Sequence, residues 1–161
     1  MSEPKPTPRG GQRLALEDYL PYRLSVASNA VSRLIAKAYE DRFGLSIPQW
    51  RLMAVLAEAG PLTPGAVVGR TAMDKVTVSR AAQGLLKRRL VERASHEADG
   101  RSHRLSLSQE GARLHGEIAP LALAYEAALL SGLAPGEVTA MKLLLKRLEA
   151  AAIRLSGEGA D

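Results

Sequence analysis

No cysteine occurs among the 161 residues, which excludes disulfides, thiolate metal ligands, cysteine nucleophiles and cysteine-based oxidation sensing together. Nor does any apolar run approach the roughly 20 residues that a membrane span requires. Hydrophobic residues nevertheless make up 46% of the chain, enough to bury the core of one domain. The opening stretch Met1 to Gly11 holds Pro4, Pro6, Pro8, Gly10 and Gly11 but no apolar segment; it is unlike a secretory signal and predicts a disordered arm over 1–13. A cytoplasmic protein is expected. A glycine-rich phosphate loop, a metal-ligand cluster and a nucleophile–base pair are all missing. Ser79 stands beside Arg80 with no histidine near it, and His96, His103 and His115 lack a ligand-like spacing. No catalytic residue, cofactor or metal ion is expected.

What the chain does have is a local excess of positive charge. Between Arg70 and Arg104 there are nine basic residues against four acidic ones, so this segment carries the +5 of the whole chain and the remaining 126 residues are neutral. An excess confined to one segment is the electrostatic footprint expected for a polyanion, whereas solubility alone would not localise it.

Periodicity supplies the frame. Apolar residues recur at Leu20, Leu24, Ala27, Val31, Leu34, Ile35 and Ala38, predicting a long amphipathic helix over Leu16–Arg42 that ends near Phe43-Gly44. Its length exceeds what one small core needs, so part of its stripe is expected to meet a second subunit. Ser46-Ile47-Pro48 is a cap followed by an early proline and opens a helix that stops at Gly60-Pro61. Trp50 on that helix is a core residue or a platform for a ligand. Thr63-Pro64 repeats the same signal for a short helix, and Asp74 caps the next one, Lys75 to Arg89.

On that helix Val78, Ala81, Ala82, Leu85 and Leu86 form an inward face, leaving Lys75, Val76, Thr77, Ser79, Arg80, Gln83 and Lys87 for the other side. Small polar residues at its start allow close approach to base edges, and Arg80 and Gln83 carry the donors that guanine and adenine edges accept. Short alternating runs, Leu90 to Ala94 and Arg104 to Leu107, flank the turn-rich Ser95 to Ser102 and predict a hairpin. Arg101, His103 and Arg104 at its tip suit phosphates or a neighbouring minor groove, and Asp99 suits orientation of Arg101 by a salt bridge. Helix, turn, helix and basic hairpin in this order make a winged helix-turn-helix, a device for reading duplex DNA. Ser108 then caps a helix expected to bend at Pro120, and Pro135 starts a last helix of period Val138, Met141, Leu144, Leu145, Leu148, Ala152 and Leu155. These two helices have no core of their own and need a partner.

With these residues in place the chain resembles the MarR family of bacterial transcriptional regulators, from about Leu14 to Leu155. The matching pieces are Ile47-Pro48-Gln49-Trp50 with Leu52 to Leu56, the run Asp74 to Arg80, the helix end Leu85 to Arg93, and Asp99-Gly100-Arg101 before Leu105 to Gly111. Family members often have two adjacent arginines after the wing aspartate, whereas here Ser102 follows Arg101. The resemblance implies a mainly α (α+β) fold, a winged helix-turn-helix with long N- and C-terminal dimerisation helices and one β-hairpin wing. The lobe would occupy 47–109, the dimerisation region 14–45 and 110–155, and a flexible tail 156–161.

The resemblance further implies a homodimer on a pseudo-palindromic operator in double-stranded DNA, repression, and release by a small aromatic or phenolic effector such as an aromatic acid or its thioester. Candidate DNA contacts are Lys75, Thr77, Ser79, Arg80, Gln83, Lys87, Arg88, Arg101, His103 and Arg104, with a further backbone contact from Arg70. Tyr22, Arg23, Ser28 and Trp50 are candidates for the effector pocket, Arg23 for a carboxylate and Tyr22 or Ser28 for a phenol, against the alternative that the α-helical residues simply pack a dimer interface. A ligand-independent architectural DNA-binding protein is the other reading that the basic segment allows.

Overall fold

Four side-chain caps fix where most helices begin. In a computed structural model, which describes residues 13–95 and 103–157, Ser46, Thr63, Asp74 and Ser108 each accept a hydrogen bond from the backbone N–H three residues on. Ser46 closes a full capping box, its own N–H donating to Gln49 Oε1 at 3.0 Å. The elements are α1 (Leu20–Phe43), α2 (Ile47–Ala59), α3 (Pro64–Thr71), α4 (Lys75–Lys87), β1 (Val91–Ser95), β2 (His103–Leu107), α5 (Gln109–Leu130) and α6 (Pro135–Gly157). This is the expected mainly helical class, with one two-stranded antiparallel sheet among the described residues. The expectations for 1–12, for the wing tip including Asp99 and Arg101, and for 158–161 lie outside the described residues.

Two boundaries differ from the sequence reading. Helix α1 starts at Leu20, with Leu16–Asp18 in a turn before it, because a start at Leu16 would put Pro21 in the interior, where it lacks an N–H and collides with the preceding turn. Helix α4 ends at Lys87, two residues early, since Arg89 takes a left-handed φ of 58°. In α5, Pro120 lies within a helix that runs on to Leu130; the carbonyl four residues earlier belongs to Gly116.

The chain divides into two compact units, one through Leu107 and one from Ser108. In the first, α2, α3 and α4 pack on one another and on the hairpin around Leu45, Leu52, Met53, Val67, Val78 and Leu85, all at most 1% exposed. Their burial is the main source of the unit's stability. α4 reaches α2 at Gly84, where a Cβ would collide with Gln49 Nε2 of the capping box. An isolated antiparallel bridge lies outside the sequence pattern: Leu62, between α2 and α3, exchanges both backbone hydrogen bonds with Leu105, at 2.7 and 3.0 Å, and so ties the hairpin to the helices.

The C-terminal third of α1 is anchored, with Tyr39 buried and its ring tilted against Trp50 at 5.4 Å between centroids. Every residue from Leu20 to Val31, by contrast, is exposed. In the second unit α6 has no buried residue, and Met141, Leu144, Leu145, Leu148 and Leu155 are uncovered. No single helix among the described residues is long and apolar enough to cross a membrane.

Ala72, which follows α3, has φ of 50°. An L-residue pays for its Cβ in this conformation and glycine does not, so Ala72→Gly is expected to raise stability by about 1 kcal/mol in urea unfolding. A decrease would mean that the turn relaxes in solution to negative φ.

Candidate nucleic-acid interface

Helix α4 turns its apolar stripe inward and its polar one outward. Val78, Ala81, Ala82 and Leu85 are buried, as the sequence pattern requires, while Leu86 is half-buried. Lys75, Val76, Ser79, Arg80, Gln83 and Lys87 are exposed and recur three or four residues apart, so they line one continuous face. Among the described residues none of their side chains has a hydrogen bond or ion pair to another. Behind this face the helix is packed through Val78, Ala81, Ala82 and Leu85.

Thr77 is the exception. Its N–H donates to Asp74 Oδ1 at 2.8 Å and its hydroxyl donates to Oδ2 at 2.6 Å. The Thr77 hydroxyl, then the Thr77 N–H, hold the Asp74 carboxyl below its ordinary range. A lowered carboxylate pKa stabilises the folded chain above the ordinary range, and that contribution is lost as pH falls through the lowered value. The hydroxyl hydrogen being committed to Asp74, Thr77 presents only lone pairs outward and therefore accepts from an amino group rather than donating to a carbonyl.

In the hairpin, Val91 pairs with Leu107 and Ser95 with His103, and Val91 and Leu105 point into the core. His103 and Arg104 are exposed at the end of β2 nearest the wing tip. They share that end with Ala94 and Ser95 opposite. Arg70, on the last turn of α3, is also exposed.

Arg88 is placed differently from the rest. Its Nη1 donates to the Gly44 carbonyl at 2.8 Å and its Nη2 to the Phe43 carbonyl at 2.9 Å, so the guanidinium caps the C-terminal end of α1. The sequence groups it with Lys87 as a backbone contact; the structure turns its fork onto α1. Val76, by contrast, has no role in the sequence pattern beyond its place on the outer side, yet it is 59% exposed near the start of the basic face. The signal for it was present in the sequence as a branched apolar residue on an otherwise polar stripe.

Of the four pocket candidates, Tyr22, Arg23 and Ser28 are all exposed on the first half of α1. Trp50 is half-buried against Tyr39, eleven residues beyond Ser28 on α1. That separation is about 16 Å at the rise of an α-helix, so within one chain Trp50 does not join the other three. No group of three or more histidine, aspartate or glutamate side chains able to hold a metal ion occurs among the described residues.

The comparisons with known proteins agree with this geometry. A sequence model of the MarR family matches residues 43–102, which run from the last residue of α1 through β1 and stop short of β2. The fold is similar to a MarR/EmrR family transcriptional regulator from Acinetobacter sp. ADP1, with TM-score 0.82 and 23% identity over 88% of this chain and 99% of that one. It is similar also to a probable transcriptional regulator from Pseudomonas aeruginosa, with TM-score 0.75 and 30% identity over 83% of this chain and 99% of that one. An HTH-type transcriptional regulator of Mycobacterium tuberculosis is 34% identical over 70 residues, 44% of this chain and 49% of that protein. The chain thus matches about half the length of its curated relatives. The family comprises transcriptional regulators and not enzymes. Outward polar face, capped helix-turn-helix, paired wing strands and these likenesses have one conclusion in common: the chain belongs to the MarR family of transcriptional regulators.

Proposed function

We propose that the protein is a cytoplasmic, homodimeric repressor that holds a pseudo-palindromic operator through two copies of α4 and releases it when a small aromatic or phenolic compound binds. The observation that carries this reading is the outer face of α4, six exposed side chains at helical spacing with none engaged among the described residues. Lys75, Lys87, His103 and Arg104, with Arg70, supply phosphate contacts and hence salt-dependent affinity; Ser79, Arg80, Gln83 and the acceptor oxygen of Thr77 discriminate bases. Arg101 and Asp99 belong to the same proposal as wing contact and orienting carboxylate.

The lobe in this reading is 47–109, and 14–45 with 110–155 form the dimerisation region. Uncovered apolar side chains on α1 and α6 support it: Leu20, Leu24, Val31 and Leu34 on the one, Leu144, Leu145 and Leu148 on the other. A second copy of the chain buries them. The Staphylococcus aureus relative MepR, 20% identical with TM-score 0.75, is known in a DNA complex. DNA binding by Bordetella bronchiseptica BpsR, 24% identical with TM-score 0.79, is regulated by 6-hydroxynicotinic acid. An aromatic acid of that kind suits Arg23 for its carboxylate and Tyr22 or Ser28 for its hydroxyl.

Val76 adds a contact that is not a hydrogen bond. Its branched side chain at the start of α4 fits the C5-methyl of thymine. Replacing the contacted thymine by deoxyuridine, which removes only that methyl, is expected to cost wild-type protein about 0.8 kcal/mol per half-site. Val76→Ser should be indifferent to the same change, and an equal loss in both proteins would remove Val76 from the interface.

Fluorescence anisotropy tests the function as a whole. Purified protein is titrated, at physiological salt, into the duplex from upstream of its own gene and into a scrambled duplex of equal length, with and without aromatic acids. Preference of a hundredfold or more for the native duplex, reversed by one of the acids, is the expected result. Equal binding to both would replace the operator-specific reading with an architectural one.

A further inference from the structure

We propose that Arg88 is a positioning residue that sets the spacing between the two recognition helices by fastening the C-terminal end of α4 to the end of α1. The inference rests on the dimeric, operator-reading function proposed above. The geometry is specific. α1 ends in a left-handed residue, Gly44 at φ of 60°, whose N–H returns to the Glu40 carbonyl while the Leu45 N–H returns to Tyr39. The last outward carbonyls of the helix, on Phe43 and Gly44, are then left for a partner, and the planar guanidinium of Arg88 takes both. Residues 44 and 45 positions apart in sequence are joined by a two-pronged, charge-assisted contact at a helix end whose dipole favours a cation.

What this contact connects gives it its role. Arg88 is the residue at which α4 ends, so its side chain fixes the recognition helix at the terminus opposite Asp74. α1 is the element whose exposed apolar stripe is the proposed subunit contact. α4 is already held on its flank, where Gly84 lets α2 approach. Arg88 adds the link to α1, so that the position of α1 in a dimer dictates where each α4 lies along the duplex. A guanidinium with both terminal nitrogens on backbone carbonyls is directed away from a phosphate role. Lysine has one compact ammonium and no fork, and so lacks the means to hold both carbonyls in one plane.

The test separates positioning from phosphate contact. A preferred duplex is selected from a random pool with wild-type protein, and derivatives with one or two base pairs inserted at its centre are prepared. Affinity for each, and its dependence on salt, is measured by anisotropy for wild type, Arg88→Ala and Arg88→Lys, with thermal unfolding as a check on folding. Wild-type protein is expected to lose at least tenfold in affinity per inserted base pair. In both variants the salt slope is expected to stay unchanged while the penalty for insertion falls to threefold or less, a ratio of affinities that a loss of stability alone does not alter. Should Arg88→Ala fail to fold, Arg88→Lys, which keeps the charge, gives the same reading. Two results overturn the inference: an insertion penalty as steep as wild type in both variants, or a salt slope in Arg88→Ala reduced by about two, one per lost phosphate contact in each subunit. Indifference of wild-type protein itself to the insertions would instead overturn the dimeric operator reading beneath it.

Discussion

The double substitution Leu144→Glu with Leu148→Glu is expected to leave each chain folded, to convert the protein to monomers, and to weaken operator binding by a hundredfold or more. Both leucines are substantially exposed in the isolated chain, at 52% and 40%, so neither contributes a filled core site whose loss would unfold it. In a dimer the same side chains would leave water, each burial contributing on the order of 25 cal/mol per Å² of apolar surface. Carboxylates there would have to be desolvated without partners, at a cost of several kcal/mol. Affinity falls because two recognition helices on one rigid body bind with an effective concentration that a monomer lacks, a gain of about 10²–10⁴. Sedimentation and anisotropy on the same samples check it. A variant that remains dimeric would move the subunit contact off this face of α6.

The second large effect concerns the outer face of α4. Arg80→Ala is expected to cost about 1–3 kcal/mol of operator affinity, a loss of roughly fivefold to 150-fold, with little change in unfolding free energy. Arg80 is exposed and has no partner among the described residues, so its removal leaves no orphaned group behind. One turn on and on the opposite face, Leu85 is fully buried, and Leu85→Ala should do the reverse: about 2–5 kcal/mol of stability lost, with affinity per folded molecule retained. The pair divides the helix into a reading face and a packing face. Unchanged operator affinity in Arg80→Ala would remove that residue from the interface.

Where the sequence was legible, local chemistry made it so. Ser46, Thr63, Asp74 and Ser108 announce helix starts because a short oxygen-bearing side chain satisfies a free N–H three residues on, whatever the rest of the chain does. The two faces of α4 were legible for a similar reason, since their spacing follows from helix geometry alone. The features that were not legible depend on distant parts of the chain. Leu62 is one apolar residue between Pro61 and the Thr63 cap, too short a run to suggest β pairing, and only the approach of Leu105 gives it a bridge partner.

Arg88 sits in a basic run, where composition groups it with its neighbours. Only the return of α1's end to within 3 Å of it reveals a different partner. Trp50 likewise could not be separated in sequence from Tyr22, Arg23 and Ser28, because its position is set by a ring contact with Tyr39 across two helices. The left-handed residues Ala72 and Arg89 are invisible to propensity, which would place glycine or asparagine there. Leu62, Arg88 and Trp50 are thus cases of tertiary contacts overriding local preference.

Hydroxyl-radical footprinting of the wild-type protein on its selected duplex tests the central claim most directly. Two protected regions of equal extent, related by a two-fold axis and centred about one helical turn, or roughly 10 base pairs, apart, are the predicted result. A single protected region, or protection spread along the duplex without register, would contradict a dimer that reads an operator through α4.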